Sequence, residues 1–230
     1  MKQLAHKIKN KDKKKVNLIT HNNPKLAVSE QYRLIRSNIL FSSVDREIKS
    51  IVVTSPEQSD GKSTTASNLA IVLAQQGKQV LLVDADLRKP SIHYTFNVSN
   101  IHGLTSVLSK KINLEKALYN THVPNLNILT SGPVPPNPSE LLNSKIMELI
   151  MEDMRSKFEY IIFDTPPVLA VTDPQILANK CDGVVIVISS GKTLKDEALK
   201  TKDLLVKAKA QLLGVVLNNM EAPKNNYQYQ

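Results

Sequence analysis

A phosphate-binding loop is the first chemistry that this sequence offers, in the segment 55–64. The segment follows the apolar run 51–53, precedes a helix-like stretch and ends in Gly-Lys-Ser-Thr at positions 61–64. A strand, a tight loop ending in Gly-Lys-Ser and a helix form a pattern that cradles phosphates. The first turn of such a helix offers unpaired backbone N–H groups and partial positive charge. Lys62 would add a full charge against the β- and γ-phosphates of a nucleotide, and the Ser63 hydroxyl would ligate Mg²⁺.

One position of this segment departs from the usual consensus. Pro56 stands where the first glycine of G-x-x-x-x-G-K-[ST] is expected. Proline is rigid and has no backbone N–H group, so we expect the chain to enter the loop differently. An ordinary turn before a helix is the alternative, and the strand–loop–helix context argues against it.

Three aspartates end two other strand-like runs of the sequence. Asp84 and Asp86 lie at the end of the run 79–84, and Asp164 ends the run 159–164. Ligands of open α/β sheets bind outside the carboxyl ends of the strands, so these carboxylates should meet the phosphate loop. A solvated aspartate at a strand end is common, but three beside such a loop favour a site for Mg²⁺ and a nucleotide.

Length and composition indicate one large, soluble α/β domain. The chain has 230 residues, of which 41% are hydrophobic and 22% charged. No run approaches the roughly 20 apolar residues of a membrane helix, and no apolar signal segment precedes the first strand, so a cytoplasmic location is expected. The single cysteine, Cys181, cannot form an internal disulfide, and we expect a buried thiol at a helix end. The five histidines have no metal-ligand spacing.

The net charge of +9 is concentrated near the N-terminus. Residues 1–15 hold seven lysines and one aspartate, a net charge of +6. A basic segment without periodicity is most often a solvated arm, with attraction to anionic lipid as the functional alternative. No aromatic residues are interleaved with these lysines, so no specific nucleic acid partner is expected.

Strand-like and helix-like segments alternate along the rest of the chain. The expected strands span 50–54, 79–84, 126–130, 159–164, 183–188 and 212–218. The expected helices span 29–41, 63–76, 138–157, 173–180 and 193–209, with one or two short helices within 103–118. Asn137 should cap the helix that begins at Pro138. This alternation predicts an α/β fold, a mostly parallel sheet flanked by helices on both faces.

Taken together, these segments resemble the bacterial tyrosine kinases of capsular and exopolysaccharide biosynthesis, a branch of the deviant P-loop NTPases. The resemblance covers about residues 25–220. Its Walker A segment is 55–64, its D-x-D-x-R segment is 84–88 and its Walker B segment is 161–167. It implies a basic flexible arm over 1–24, a P-loop kinase domain over 25–220 and a flexible tyrosine-containing tail over 221–230.

Glu57 distinguishes this chain from related ATPases of the same P-loop branch. Partitioning and division-site ATPases carry a signature lysine five positions before the Walker lysine, where this chain has Glu57. A kinase is therefore favoured over a partitioning-type ATPase switch, while a nucleotide-binding scaffold without catalysis is the third interpretation.

The resemblance implies a role for each site residue, with ATP and Mg²⁺ as the cofactors. The metal ligands would be Ser63, Asp86 and Asp164. The nucleotide-binding residues would be Ser59, Asp60, Gly61, Lys62, Ser63, Thr64 and Asn218, with Asn218 at the position that reads adenine or simply forming a turn. The catalytic residues would be Lys62, Asp84, Asp86 and Arg88. Asp84 would orient or accept the proton of the tyrosine hydroxyl, with an outer magnesium contact as the alternative. Arg88 would neutralise developing charge or simply pair with one of these acids.

The resemblance also implies an assembly that phosphorylates itself. Tyr227 and Tyr229 would be the phosphoacceptors, presented to a neighbouring subunit's active site. Glu30, Arg33 and Arg36 match the family's E-x-x-R-x-x-R oligomerisation signature, although a self-paired helix face is the plainer interpretation. The expected homo-oligomer is a ring, with an octamer as the implied size. A membrane-anchored activator with a cytoplasmic segment would hold the kinase at the inner face of the membrane, and a tyrosine phosphatase would reverse its action.

Overall fold

A mostly parallel seven-stranded sheet forms the centre of the molecule. The computed structural model describes residues 16–42 and 47–220. The strands are β1 (Ser50–Thr54), β2 (Val80–Asp84), β3 (Leu118–Asn120), β4 (Leu126–Leu129), β5 (Tyr160–Asp164), β6 (Gly183–Ser189) and β7 (Leu212–Asn218). Their spatial order is β3-β4-β2-β5-β1-β6-β7, and every neighbouring pair is parallel except β3 with β4. The predicted fold class is confirmed.

Ten helices lie in the part of the chain that the structure describes. They are α1 (Ile19–Asn22), α2 (Ala27–Phe41), α3 (Lys62–Ala74), α4 (Ile92–Phe96), α5 (Leu104–Leu108), α6 (Leu114–Ala117), α7 (Pro138–Asn143), α8 (Lys145–Lys157), α9 (Asp173–Lys180) and α10 (Lys195–Lys207). Short α1, α4 and antiparallel β3 are absent from the predicted elements.

Two apolar layers, one on each face of the sheet, hold the helices in place. The alternating side chains of a strand point to opposite faces. Ile51 and Val53 accordingly pack with α3 on one face, whereas Val52 packs with α8 on the other. The residues of β1 and β2 are all buried, as expected for central parallel strands covered on both sides.

The predicted helix over 138–157 is two helices, because Ser144 interrupts it. The backbone of Ser144 is extended, and its hydroxyl accepts a hydrogen bond from the Met147 N–H group at 3.2 Å. A serine that caps a new helix in this way ends the preceding one. Asn137 is at the N-cap position and Pro138 begins the helix, as predicted, but the Asn137 side chain accepts no backbone N–H group, and its amide donates to the Glu140 carboxylate at 2.8 Å.

Residues 16–23, which fall within the predicted arm 1–24, contact helix α3. Leu18 is buried, and the Thr20 backbone N–H and hydroxyl donate to Asn68 Oδ1 at 3.0 and 2.8 Å. Gln75 also donates to the Thr20 carbonyl at 3.1 Å. Residues 16–23 are therefore a strap across α3, because an apolar and a hydroxyl side chain find buried partners there. The lysine-rich residues 1–15 and the tail with Tyr227 and Tyr229 lie outside the described residues.

Candidate nucleotide site

The phosphate loop joins the end of β1 to the start of α3 at the centre of the sheet. Gly61 immediately precedes α3 and has a φ of +102°, a left-handed conformation that favours glycine. A Cβ at this position would lie 2.0 Å from Asn218 Nδ2. Lys62, Ser63 and Thr64 form the first turn of α3, so their backbone N–H groups face the loop as the sequence predicts.

Side chains within and beyond the loop fix its shape. The Glu57 N–H group donates to Asp60 Oδ2 at 2.9 Å, and Ser55 Oγ donates to the Glu57 carbonyl at 2.7 Å. Lys192, which follows β6, donates to the Gln58 carbonyl at 2.6 Å and to Asp60 Oδ1 at 2.8 Å. The fully buried Asp60 carboxylate therefore shapes the loop, and only the Asp60 backbone remains for a nucleotide.

Asn218 reaches the phosphate loop from the end of β7. Its amide nitrogen donates to the Asp60 carbonyl at 2.9 Å. This contact explains why position 61 must be glycine, since Asn218 fills the space that a side chain would need. Contact with adenine stays a prediction, and bracing of the loop is the role that the geometry shows. Ser59 is exposed on the loop and has a positive φ of 68°.

The three predicted carboxylates meet beside Lys62. Asp84 and Asp164 are directly opposite each other in the parallel register of β2 and β5. Asp86 lies two residues beyond, where its Oδ1 accepts the Lys89 N–H group at 2.9 Å and its Oδ2 is 3.5 Å from Lys62 Nζ. All three are nearly or completely buried, with exposures of 0, 0 and 5%. The sequence prediction that these residues converge is confirmed by the geometry.

Burial changes the protonation of this cluster. Burial and the neighbouring Asp164 raise the pKa of Asp84 from 3.8 to about 8. Burial likewise raises the pKa of Asp164 to about 6, although Lys62 and the Ser63 hydroxyl oppose the rise. Burial alone would lower the pKa of Lys62, but the three carboxylates outweigh it and raise that pKa. The site therefore holds a charged lysine among carboxylates that attract protons or another cation.

The oxygen atoms available here fit a magnesium ion. Asp84 Oδ1 and both carboxylate oxygens of Asp164 are buried without a hydrogen-bond partner in the part of the chain that is described. The Ser63 hydroxyl is 3.4 Å from Lys62 Nζ and shares this corner of the site. Mg²⁺ prefers oxygen ligands and keeps several waters, with the remainder supplied by nucleotide phosphates. Across residues 16–42 and 47–220, no group of three or more acidic, histidine or cysteine side chains is arranged to hold a metal ion by itself.

Arg88 lies at the rim of this site and is paired with an acid that the sequence analysis did not single out. Its Nε and Nη2 donate to the two oxygens of Asp173 at 2.9 and 3.1 Å. The predicted pairing with one of the three site acids is thus replaced by pairing with Asp173, and the role of Arg88 in charge neutralisation stays a prediction. Nothing in the sequence pairs the two residues, since they are 85 positions apart.

A cavity of about 490 Å³ opens over the loop and the carboxylates. Its lining combines the phosphate loop with the D-x-D-x-R segment and the residues after β5, and Val16 of the strap closes one side. The volume lies within the range of small-molecule sites. The cavity therefore has the size and the anion-binding groups that a nucleotide requires.

The three predicted oligomerisation residues lie on α2. Arg33 pairs with Glu30 and also donates to the Pro24 carbonyl at 2.8 Å. Arg36 Nη1 donates to the Val72 carbonyl at 2.8 Å, near the end of α3. Within one subunit the three residues are thus partnered, and their contact with a neighbouring subunit stays a prediction.

Comparison with known proteins identifies the family. A family model described as an AAA domain matches residues 48–209. The chain is 53% identical over 210 residues to the tyrosine-protein kinase YwqD of Bacillus subtilis (strain 168), which covers 91% of this chain and 89% of that protein. The chain belongs to the bacterial tyrosine kinases. This confirms the family predicted from the three motif segments.

Other members of the tyrosine kinase family differ in length. The crystal structure of the chimerical protein CapA2B2 matches with a TM-score of 0.87 and 44% identity, covering 89% of this chain and 90% of that one. The tyrosine-protein kinase ptk of Acinetobacter johnsonii is 36% identical over 218 residues, but the chain spans only 30% of its length. No helix within the described residues is long and apolar enough to cross a membrane.

Proposed function

We propose that this chain transfers the γ-phosphoryl group of ATP to tyrosine hydroxyls in the C-terminal tail of a neighbouring subunit. The supporting observation is the convergence of Lys62, the first turn of α3 and three buried carboxylates in one cavity, within a family whose members are named tyrosine-protein kinases. Glu57, in place of the lysine of partitioning ATPases, supports the kinase over a switch ATPase.

The residues of the site have separate roles in phosphoryl transfer. Lys62 and the backbone N–H groups of Gly61 to Thr64 hold the phosphates, because this chemistry depends mainly on positioning and charge neutralisation. Ser63, Asp86 and Asp164 would hold magnesium, which would neutralise the charge on the β- and γ-phosphates. A bond forms between the tyrosine oxygen and the γ-phosphorus while the bond from that phosphorus to the ADP oxygen breaks.

The tyrosine proton requires an acceptor, and Asp84 is suited to that role. A phenol has a pKa of about 10, and an ordinary aspartate near 4 is a weak base for it. Burial and Asp164 raise the pKa of Asp84 to about 8, and Asp84 Oδ1 has no other partner among the described residues. We propose that the ionised form of the Asp84 carboxylate accepts this proton, because its raised pKa makes it a stronger base than an ordinary aspartate.

Exposed apolar side chains support assembly through α2. Leu26, Val28, Leu34 and Phe41 lie on or beside this helix with exposures of 49, 52, 56 and 73%. Several large exposed apolar groups on or beside one helix favour an interaction site there. We infer a ring of subunits, with an octamer as the implied size, in which α2 contacts a neighbour and tails reach across.

The regulation proposed for this kinase comes from the resemblance to its family. The chain spans 30% of the length of the Acinetobacter johnsonii kinase. We infer that a separate, membrane-anchored activator supplies a cytoplasmic segment and recruits the kinase to the inner face of the membrane. A tyrosine phosphatase would reset the tail, and the process served would be capsular or exopolysaccharide synthesis and export.

Phosphotyrosine mass spectrometry after incubation with ATP and Mg²⁺ tests the proposed function. Label on Tyr227 or Tyr229, lost in Lys62→Met and in the Tyr227→Phe/Tyr229→Phe variant, is the expected result. Release of free phosphate without labelled tyrosine would instead indicate a switch ATPase. Nucleotide binding with neither product would indicate a scaffold, and failure to bind Mg-ADP would refute the site itself.

A further inference from the structure

Arg88 is held by a hydrogen-bonded cluster that joins three segments of the chain. Its Nε donates to Asp173 Oδ2 at 2.9 Å, and its Nη2 donates to Asp173 Oδ1 at 3.1 Å and to Ser139 Oγ at 3.2 Å. The Ser139 hydroxyl donates to Asp173 Oδ1 at 2.6 Å. The loop after β2, helix α7 and the first residue of α9 therefore meet at one guanidinium group.

The two ends of this cluster differ in their access to solvent. The Asp173 side chain is completely buried, whereas the Arg88 side chain is 39% exposed and lines the nucleotide cavity. A buried carboxylate requires a cation, and the two-pronged contact sets the plane as well as the position of the guanidinium. Arg88 Nη1 has no partner among the described residues, so this edge is available to a ligand.

We propose that Asp173 and Ser139 are positioning residues for phosphoryl transfer, which hold the free edge of the Arg88 guanidinium toward the transferred phosphoryl group. This inference rests on the proposed kinase function. An arginine that contacts the transition state of phosphoryl transfer accelerates it by about 10³–10⁵-fold in other enzymes. A misplacement of about 1 Å can cost about 100-fold, so the anchor of such a group matters as much as its charge.

The competing explanation is that the same contacts only stabilise the fold. The two explanations differ in what they change. If the contacts were only structural, their loss would lower the melting temperature and weaken nucleotide binding together. Tyrosine phosphorylation would then fall in proportion to the folded fraction. A positioning role lowers kcat for tyrosine phosphorylation in a fully folded protein that binds Mg-ADP normally.

Two variants of different severity test this inference. Asp173→Asn keeps the shape of the side chain and removes its charge, so we expect kcat to fall about 10–100-fold. Ser139→Ala removes a 2.6 Å hydrogen bond with little change in volume, so we expect a fall of about 3–10-fold. In both, the dissociation constant for Mg-ADP stays within about twofold of wild type. Ser156→Ala is the matched control, because this exposed hydroxyl contacts only the Asp153 carbonyl on the far helix α8.

Chemical rescue gives a second, independent readout. In Arg88→Ala, added guanidinium ions should restore part of the lost kcat, because Asp173 and Ser139 still form their binding site. In Arg88→Ala/Asp173→Asn the same ions should restore nothing, and the second substitution should lower kcat no further.

The results separate failure of the inference from failure of the proposed function. If the wild-type chain labels no tyrosine, both the positioning role and the proposed kinase function are refuted. A wild-type chain that labels tyrosine, with Asp173→Asn and Ser139→Ala folded and equally active, overturns the positioning role alone. The positioning role is also overturned if both variants lose kcat, Mg-ADP binding and folded protein to the same extent.

Discussion

Replacement of Asp84 by asparagine should stabilise the nucleotide-free protein while it impairs transfer. Asp84 is completely buried, and its Oδ2 accepts the N–H groups of Ser91 and Ile92 at 3.0 Å each. An asparagine oxygen can accept both bonds, so the start of α4 keeps its partner. The substitution therefore removes one buried negative charge opposite Asp164 and little else.

The size of this effect follows from the pKa of Asp84. Burial and the neighbouring Asp164 raise this pKa from 3.8 to about 8 on folding. The folded chain thus binds more protons than the unfolded chain between these values, so stability is fully present below pH 3.8 and is lost as the pH rises to about 8. A difference of about four pH units corresponds to about 5–6 kcal/mol. The buried amide NH₂ of asparagine costs about 1–3 kcal/mol, which leaves a gain of about 2–5 kcal/mol at pH 8.

Urea unfolding without nucleotide or magnesium measures this gain. The wild-type free energy of unfolding should fall between pH 5 and pH 8, and the Asp84→Asn variant should show a flatter profile. Asp203→Asn, on the exposed surface of α10, should follow the wild type at every pH. A variant that is less stable than wild type at pH 8, with an unchanged pH profile, would refute the electrostatic reasoning. Label transfer to tyrosine should fall in the Asp84 variant alone.

Three smaller tests address other contacts. Lys192→Met removes the cation that pairs with the buried Asp60, so the dissociation constant for Mg-ADP, measured by calorimetry, should rise about tenfold, and Lys192→Arg should recover most of it. Ser144→Ala deletes the hydroxyl that accepts the Met147 N–H group, and it should lower the free energy of unfolding by about 1 kcal/mol in urea titrations. Cys181 is half-buried, and burial raises the pKa of its thiol to about 12, so iodoacetamide at pH 8 should alkylate the unfolded chain much faster than the folded one.

The sheet could be predicted because its central strands are continuous apolar runs between clear turn signals. The missed elements lack that signal. Helices α1 and α4 have four and five residues, too few to show a helical period, and β3 has three. The break at Ser144 escaped prediction because the apolar pattern continues on both sides of it. A cap depends on one hydroxyl and not on periodicity.

The centre of the site could be predicted from local motifs, whereas its contacts between residues distant in sequence could not. Lys62, Asp84 and Asp164 follow strand ends, and the topology of a parallel sheet brings such ends together. Lys192 could not be predicted in the same way, since it is 132 positions from Asp60 and reaches it only through the neighbouring order of β1 and β6. The partner of Arg88 was missed for the same reason.

These distant contacts also account for the unusual start of the phosphate loop. Pro56 offers no N–H group, yet its carbonyl accepts the Leu169 N–H group at 3.3 Å, and the Ser55 carbonyl accepts that of Val168 at 2.9 Å. The entrance of the loop is thus joined to the segment after β5, which carries Asp164. A glycine is dispensable there because hydrogen bonds to the segment after β5 fix the path of the backbone, so the loop does not depend on the conformational freedom of a glycine. The phosphate loop and the Asp164 carboxylate are consequently held in one hydrogen-bonded unit before any nucleotide arrives.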